Sequence, residues 1–392
     1  MTAAVMHRRD LAGALVASGA VRSHWVRRAF EETSRETFVP RFYRRSESGR
    51  KMLVDGTDPR QRDEWLRGVY TDDVLRVQLT PAPDLVDGAG APTSSSSMPT
   101  VMAGMLEALD LQPGHRVLEI GTGTGYNAAL LCHRVGADNV VSVELDPRLA
   151  DAARRALAGI GLHPAVHAGD GAAGLAAAAP FDRIIATAST DHIPPSWISQ
   201  LAPGGVIVVD LRGSIDGSLL RLTAVDSDVA QGVFLNLPGA FMPMRTRLDS
   251  PHRDGESWDQ MLDQRNPQQG TTPLHPGLVA DNRSLRVMVQ LHLAGRHLRG
   301  FLRALDGTEL SGHCTDGSWF TAGLHPDDDG LFPVAQGGPQ RLWDTVESCY
   351  ASWRRLGEPG VERFGVTAYD DAALQYAWFD HPDARYRWPL PL

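Results

Sequence analysis

Glu119, Gly121, Gly123, Gly125, Glu144 and Asp170 are residues whose types and spacing could do chemistry. Glu119 lies in the apolar run Val117-Leu118-Glu119-Ile120, and Gly121-Thr122-Gly123-Thr124-Gly125 follows at once. Glycine lets a backbone turn sharply and approach a ligand closely. Glu144 ends the next apolar run, about 20 residues on, where an acid can bind both hydroxyls of a ribose. A nicotinamide dinucleotide wants Gly-x-Gly-x-x-Gly, and counting from Gly121 the third glycine position is Tyr126. S-adenosylmethionine has no phosphate and needs close backbone approach plus acids for its ribose and its ammonium-bearing tail. Glu119 suits the methionine end by charge, and Gly169-Asp170-Gly171 suits the adenine end. S-adenosylmethionine is the better match; a dinucleotide site and a purely structural strand–turn–helix are the alternatives.

The elements that must position these residues alternate in the βαβ manner. Strands are expected over 116–120, 139–144, 165–167, 181–188 and 206–209, and helices over 101–109, 126–135 and 147–159. Continuous apolar strands of this kind suit a sheet buried on both faces. Before this core, His7-Arg8-Arg9 and the apolar run from Leu11 mimic a signal peptide, but Asp10 and the spacing of Leu11, Leu15, Val21, Trp25 and Val26 favour an amphipathic helix. A helical run from Trp25 continues to Phe38, where Pro40 ends it. Residues 44–64 read as loop or solvated helix, and 82–97 as a boundary or working loop. After the core, 249–276 is polar and linker-like. Arg286 to Leu293 alternates through Val287, Val289, Leu291 and Leu293, which predicts a half-buried strand. Residues 306–340 are turn-rich, Leu342 to Leu356 shows a helical face, and a strand is expected over 364–369. Trp343, Trp353, Trp378 and Trp388 are expected in the core, with a peptide groove as the alternative. The division is an N-terminal helical cap and loop (1–93), a mostly parallel Rossmann-like α/β core (94–248), a linker (249–283) and a C-terminal α+β accessory domain for substrate recognition (284–392).

The chain has 392 residues and a formal net charge of -9. Its pI of about 5.9 argues against a nucleic-acid partner. Lys51 is the one lysine, and the apolar runs are too short to span a membrane. Cys132, Cys314 and Cys349 form no disulfide framework, which points to a reducing cytoplasm. His313, Cys314 and His325 match no standard metal spacing, and no metal is expected.

Val117 to Leu131, Gly169-Asp170-Gly171 and Pro180 to Ser189 closely resemble the protein-L-isoaspartate O-methyltransferases, as do Phe38-Val39-Pro40 and Phe241-Met242-Pro243-Met244. The resemblance spans roughly 10–246. It implies a class I S-adenosylmethionine-dependent fold, with S-adenosylhomocysteine as product. Thr122, Asn127, Leu145 and Gly171 join the acids and glycines above as expected cofactor contacts. Within the family, Pro92 to Pro99, Ile193 to Trp197 and Arg341 to Asp344 most resemble the methyltransferases of ATP-grasp peptide maturase (graspetide) systems; related enzymes serve lanthipeptide and lasso-peptide pathways. The family's repair members carry Thr-Ile-Ser-x-Pro-His before the first core helix. That pattern places Ser97 on the family serine near the transferred methyl, as the catalytic candidate. Ser95 and Ser96 replace the Thr-Ile pair, Thr100 replaces the last position, and Arg245 stands where the family has threonine. Ser94, Ser95, Ser96, Met98 and Arg245 are the expected substrate contacts.

The resemblance implies methylation of an aspartyl side-chain carboxylate in an ATP-grasp-modified ribosomal peptide, with the ester closing to aspartimide and an ATP-grasp ligase as a potential partner. General isoaspartyl repair is the alternative, and a non-catalytic peptide-binding scaffold a more distant one. A carboxylate is ionised at pH 7, so the site needs positioning groups rather than a base. The surplus length beyond the core favours a dedicated substrate.

Overall fold

A computed structural model describes residues 2–46, 51–81, 89–248, 267–293, 298–303, 307–314 and 316–391. Helix α1 (Ala3–Ala17) buries Leu11, Ala12 and Leu15, and α2 (His24–Glu32) buries Val26, Ala29 and Phe30, so the N-terminal apolar stretch is helical and packed, but the residues expected on one amphipathic helix fall on two, with Val21 buried between them. The expected single helix to Phe38 is two. Thr33 is extended at φ -85°, ψ 121°, and α3 (Arg35–Phe38) starts afresh after Ser34. Threonine and serine compete with helical backbone bonding, and the break turns Arg35 inward.

Residues 44–64 hold more order than expected. Strands β1 (Arg41–Arg45) and β2 (Lys51–Asp55) form a hairpin, and α4 (Arg62–Val69) follows. With β3 (Leu75–Pro81) and β4 (Ala89–Ser96) they make an antiparallel sheet of order β2-β1-β3-β4. The expected loop over 82–97 thus ends as a strand; its residues 82–88 lie outside the described ones.

The core follows the sequence reading through α5 (Pro99–Leu109), β5 (Val117–Ile120), α6 (Tyr126–Val135), β6 (Val140–Glu144), α7 (Pro147–Gly159), β7 (Ala165–Ala168), β8 (Phe181–Thr190) and β9 (Leu201–Arg212), with a short helix α8 (Pro195–Ser199) before β9 that was not expected. Strands β7-β6-β5-β8-β9 lie parallel in that order. Strands β10 (Gly217–Asp226) and β11 (Val229–Gly239) then turn the sheet antiparallel.

The C-terminal region departs most from expectation. The proposed linker is ordered in its second half, with β12 (Gln268–Thr272) and α9 (Pro276–Asp281), where Val279 is fully buried; residues 249–266 lie outside the described ones. The expected strand at 286–293 is helix α10 (Arg283–His292), capped by the Asn282 side chain accepting from the Leu285 N–H. It buries Leu285, Val287, Met288, Val289, Gln290 and Leu291, so apolar residues fill most of its circumference and period two arises by accident. The turn-rich 306–340 carries three strands. β13 (Leu298–Arg303), β14 (Glu309–Cys314), β15 (Trp319–Gly323) and β16 (Phe332–Gly337) join β12 in a five-stranded sheet. After α11 (Leu342–Arg355), strands β17 (Phe364–Tyr369), β18 (Tyr376–Phe379) and β19 (Arg387–Pro389) return to the central sheet, where β17 pairs β11. Among the described residues the central sheet therefore has ten strands, three of them from the expected C-terminal accessory domain. One apolar cluster runs from Ile184, Trp197 and Ile207 to Val289, Trp343 and Phe364; a second joins Phe30, Val69, Met105 and Leu130 to Val208.

Candidate active site

The glycine loop leaves β5 where the sheet order splits, with β6 on one side and β8 on the other; such a crevice is where open α/β sheets bind ligands. There a cavity of about 510 Å³ opens between the loop, the serine-bearing end of β4 and the segment 238–245. Gly121 has φ +88° and Gly123 φ +54°, which side-chain-bearing residues rarely adopt. A Cβ on Gly121 would stand 3.0 Å from Thr187 Oγ1, which itself donates to the Gly121 carbonyl at 2.6 Å. Thr187 thus holds the loop's backbone.

Glu144 is 9% exposed and lines the cavity. Its Oε2 accepts the Gly123 N–H at 2.8 Å and its Oε1 the Asp146 N–H at 3.1 Å. Burial pushes its carboxyl up, against those two donors and the nearby Arg245. Asn127 also lines the cavity, and its Oδ1 is buried with no partner among the described residues. A buried carboxylate with fixed geometry and an orphaned amide oxygen fit the hydroxyls and ammonium of S-adenosylmethionine, so the residues present suit that cofactor.

Three expected cofactor residues do not reach the cavity wall. Glu119 is fully buried beneath the loop; its Oε1 accepts from Asn127 Nδ2 at 2.7 Å and its Oε2 bonds the Ser142 hydroxyl, which pairs with Thr122 Oγ1 at 2.6 Å. It holds Asn127 rather than presenting a charge, and burial pushes its carboxyl up to about 7. Asp170 caps a short turn, accepting the Ala172 N–H at 2.9 Å. Gly125, at φ +88°, lies against Ala153, where a Cβ would meet another at 3.1 Å. Gly121, Thr122, Gly123, Asn127, Glu144, Leu145 and Gly171 do line it.

Ser94, Ser95, Ser96, Ser97, Met98 and Arg245 line the opposite wall. Arg245 donates to the Thr93 carbonyl at 3.4 Å, joining the 238–245 segment to β4. Thr100 is turned away: its N–H donates to Asp72 at 2.8 Å and its hydroxyl bonds the same carboxylate, which caps α5. The sequence reading missed Arg35. This residue is fully buried and donates to the carbonyls of Val69, Thr71, Asp73 and Ser97 at 2.9–3.2 Å, and more weakly to Ser96 Oγ at 3.4 Å. Burial pushes its guanidinium down, and it fixes the serine segment to the N-terminal cap. Tyr126, which breaks the dinucleotide pattern, packs edgewise on Phe30 and tilted against Phe38. Among the described residues, the cavity wall carries no histidine, cysteine or lysine; its polar groups are hydroxyls, backbone, Asn127, Glu144 and two arginines.

A mixed sheet with this glycine loop and acid at adjacent strand ends is the class I S-adenosylmethionine-dependent methyltransferase fold. A family model, protein-L-isoaspartate(D-aspartate) O-methyltransferase, matches residues 61–231. Two relatives with the name protein-L-isoaspartate O-methyltransferase agree with it. The one from Anaeromyxobacter dehalogenans (strain 2CP-C) is 44% identical over 150 residues, 38% of this chain and 71% of its own. The one from Ignicoccus hospitalis is 32% identical over 239 residues, 60% of this chain and 96% of its own. The chain belongs to the protein-L-isoaspartate O-methyltransferase family and is an S-adenosylmethionine-dependent carboxyl methyltransferase. A solved structure of that name is 23% identical, with a TM-score of 0.53 over 95% of this chain and 100% of that one. The shared fold thus reaches the C-terminal region. Among the described residues, no helix is long and apolar enough to cross a membrane.

Proposed function

We propose that this chain methylates the free carboxylate of an aspartyl residue (on its side chain) or of an isoaspartyl residue (its α-carboxylate) within a polypeptide. The observation that carries this reading is a cavity pairing the Glu144 carboxylate and glycine loop with a wall of hydroxyls and, among the described residues, no histidine, cysteine or lysine. S-adenosylmethionine, when bound, supplies a methyl already activated by its sulfonium. What remains for the protein is to hold and desolvate an ionised carboxylate. Glu144 would hold the ribose hydroxyls, and Asn127 Oδ1 would accept from the ammonium. Ser97 donates to the substrate carboxylate and keeps its own proton. Met98, Phe241, Met242 and Met244 exclude water. In the ester product the following amide nitrogen attacks the carbonyl, a C–N bond forms, and methanol leaves with the amide proton, giving a succinimide.

The finer reading is a dedicated substrate, an aspartyl residue in an ATP-grasp-modified ribosomal peptide, with the ligase as partner. Arg245 and the paired Ser95-Ser96 in the cavity wall support it, because they depart from the residues of the family's repair members. Both readings are tested by incubating the protein and S-adenosylmethionine with a ligated precursor, its linear form and a generic isoaspartyl peptide. Methyl gain followed by net loss of water on the ligated peptide alone supports the dedicated role; robust methylation of the isoaspartyl peptide supports repair. No methyl transfer to any peptide sinks the general proposal.

A further inference from the structure

The four-stranded sheet β2-β1-β3-β4 has one buried and one open face. Phe42, Val54 and Leu75 point into the core. The registers Tyr43↔Leu53, Tyr43↔Arg76 and Arg76↔Ser95 place those side chains in one row on the other face, since directly opposed residues share a side. Arg41 and Arg45 flank Tyr43 on the same face. The row ends at the active site, because Arg76 and Ser95 both line the cavity. Arg41, Arg45, Leu53 and Arg76 are exposed, and Tyr43 is half-buried. Arg76 makes no ion pair among the described residues. Lys51, opposite Arg45, donates to the Gly90 carbonyl at 2.7 Å, and Asp55, opposite Arg41, is the one carboxylate on this face of β1 and β2. Among the described residues of this face, cations therefore outnumber carboxylates beside the cavity, in a chain of net charge -9.

We infer that this sheet face is the docking surface for an acidic, extended segment flanking the methyl-accepting residue. The inference rests on the methyl-transfer reading above. Three strand spacings separate β4 from β2, about 14 Å, which is the span of roughly four extended residues. Acidic side chains of that flank meet Arg76 and Arg41, and its backbone crosses Tyr43 and Leu53. Charge at such a rim steers association and fixes register, and it weakens with salt.

The test uses fluorescein-labelled peptides with a central aspartate and four glutamates or four lysines on one side, in both orientations. Binding is read by anisotropy in the presence of S-adenosylhomocysteine, and methylation is read separately. The glutamate peptide is expected to bind on the order of tenfold tighter than the lysine peptide at low salt. That preference should vanish at high salt and in Arg41→Glu and Arg76→Glu, with retained S-adenosylhomocysteine binding reporting an intact fold. Equal affinity for the two peptides, or a preference that survives both charge reversals, overturns the docking surface. Acidic preference without methylation of any peptide upholds the surface and counts against the functional reading alone.

Discussion

The Gly123 N–H donates to the Glu144 carboxylate at 2.8 Å, so the loop that must approach the cofactor is tied to the acid that must bind it. Loop and acid come from adjacent parallel strands, and each fixes the other. Replacing Glu144 by Gln keeps the shape and removes the charge. A charged acceptor contributes about 1.5–3 kcal/mol per hydrogen bond. Glu144→Gln should weaken S-adenosylhomocysteine binding by roughly tenfold or more. Calorimetry checks it, and unchanged affinity would place the ribose elsewhere.

Ser97 acts on the methyl acceptor rather than the cofactor. Ser97→Ala should slow turnover by about tenfold, the value of one hydrogen bond, while S-adenosylhomocysteine affinity stays within a factor of two. A variant that loses affinity and rate together would assign the hydroxyl to the cofactor instead.

The buried Glu119 makes the free protein sensitive to pH. Its carboxyl rises from 4.5 to about 7, so the native state holds that proton more tightly than the unfolded state does. Between pH 4.5 and 7 the unfolded chain binds fewer protons, and stability falls as pH rises, by about 3 kcal/mol in all. Glu144 is shifted the same way. Glu119→Gln, which can still accept from Asn127, should flatten that slope and be the more stable protein at pH 8. Urea midpoints at pH 5 and pH 8 decide the matter; matching slopes in the two proteins would show that Glu119 is ionised throughout.

Arg35 gathers four backbone carbonyls from its side of the fold. Arg35→Met removes the donors of all four, the Val69 carbonyl among them being buried, and should cost about 3 kcal/mol. It should also lower turnover, because the Ser97 carbonyl loses its anchor. A denaturation midpoint close to wild type would mean that water or a shifted backbone replaces the guanidinium.

What the sequence made legible follows from distance along the chain. The glycine loop, Glu144 and the parallel strands were readable because each is a local pattern in one element. Arg35 was not, because its acceptors are backbone groups 34–62 residues away and leave no mark in composition. Glu119 was assigned by charge, yet only Asn127 and Ser142 beside it reveal that it faces away from the ligand. Helix α10 misled because a helix buried around most of its circumference loses its polar stripe. Strands β17–β19 were hidden for a related reason: which sheet a C-terminal strand joins depends on the open edge it finds, here that of β11.

That last pairing has a consequence during synthesis. β11 emerges from the ribosome with its edge bare and must wait for residues 364–369, several seconds later at about 5–20 residues per second. Until then an open strand edge is available to other nascent chains. A premature stop codon late in the gene would therefore do more than blunt substrate choice. It would release a protein with a permanently adhesive sheet, and its first symptom in the cell would be inclusion bodies.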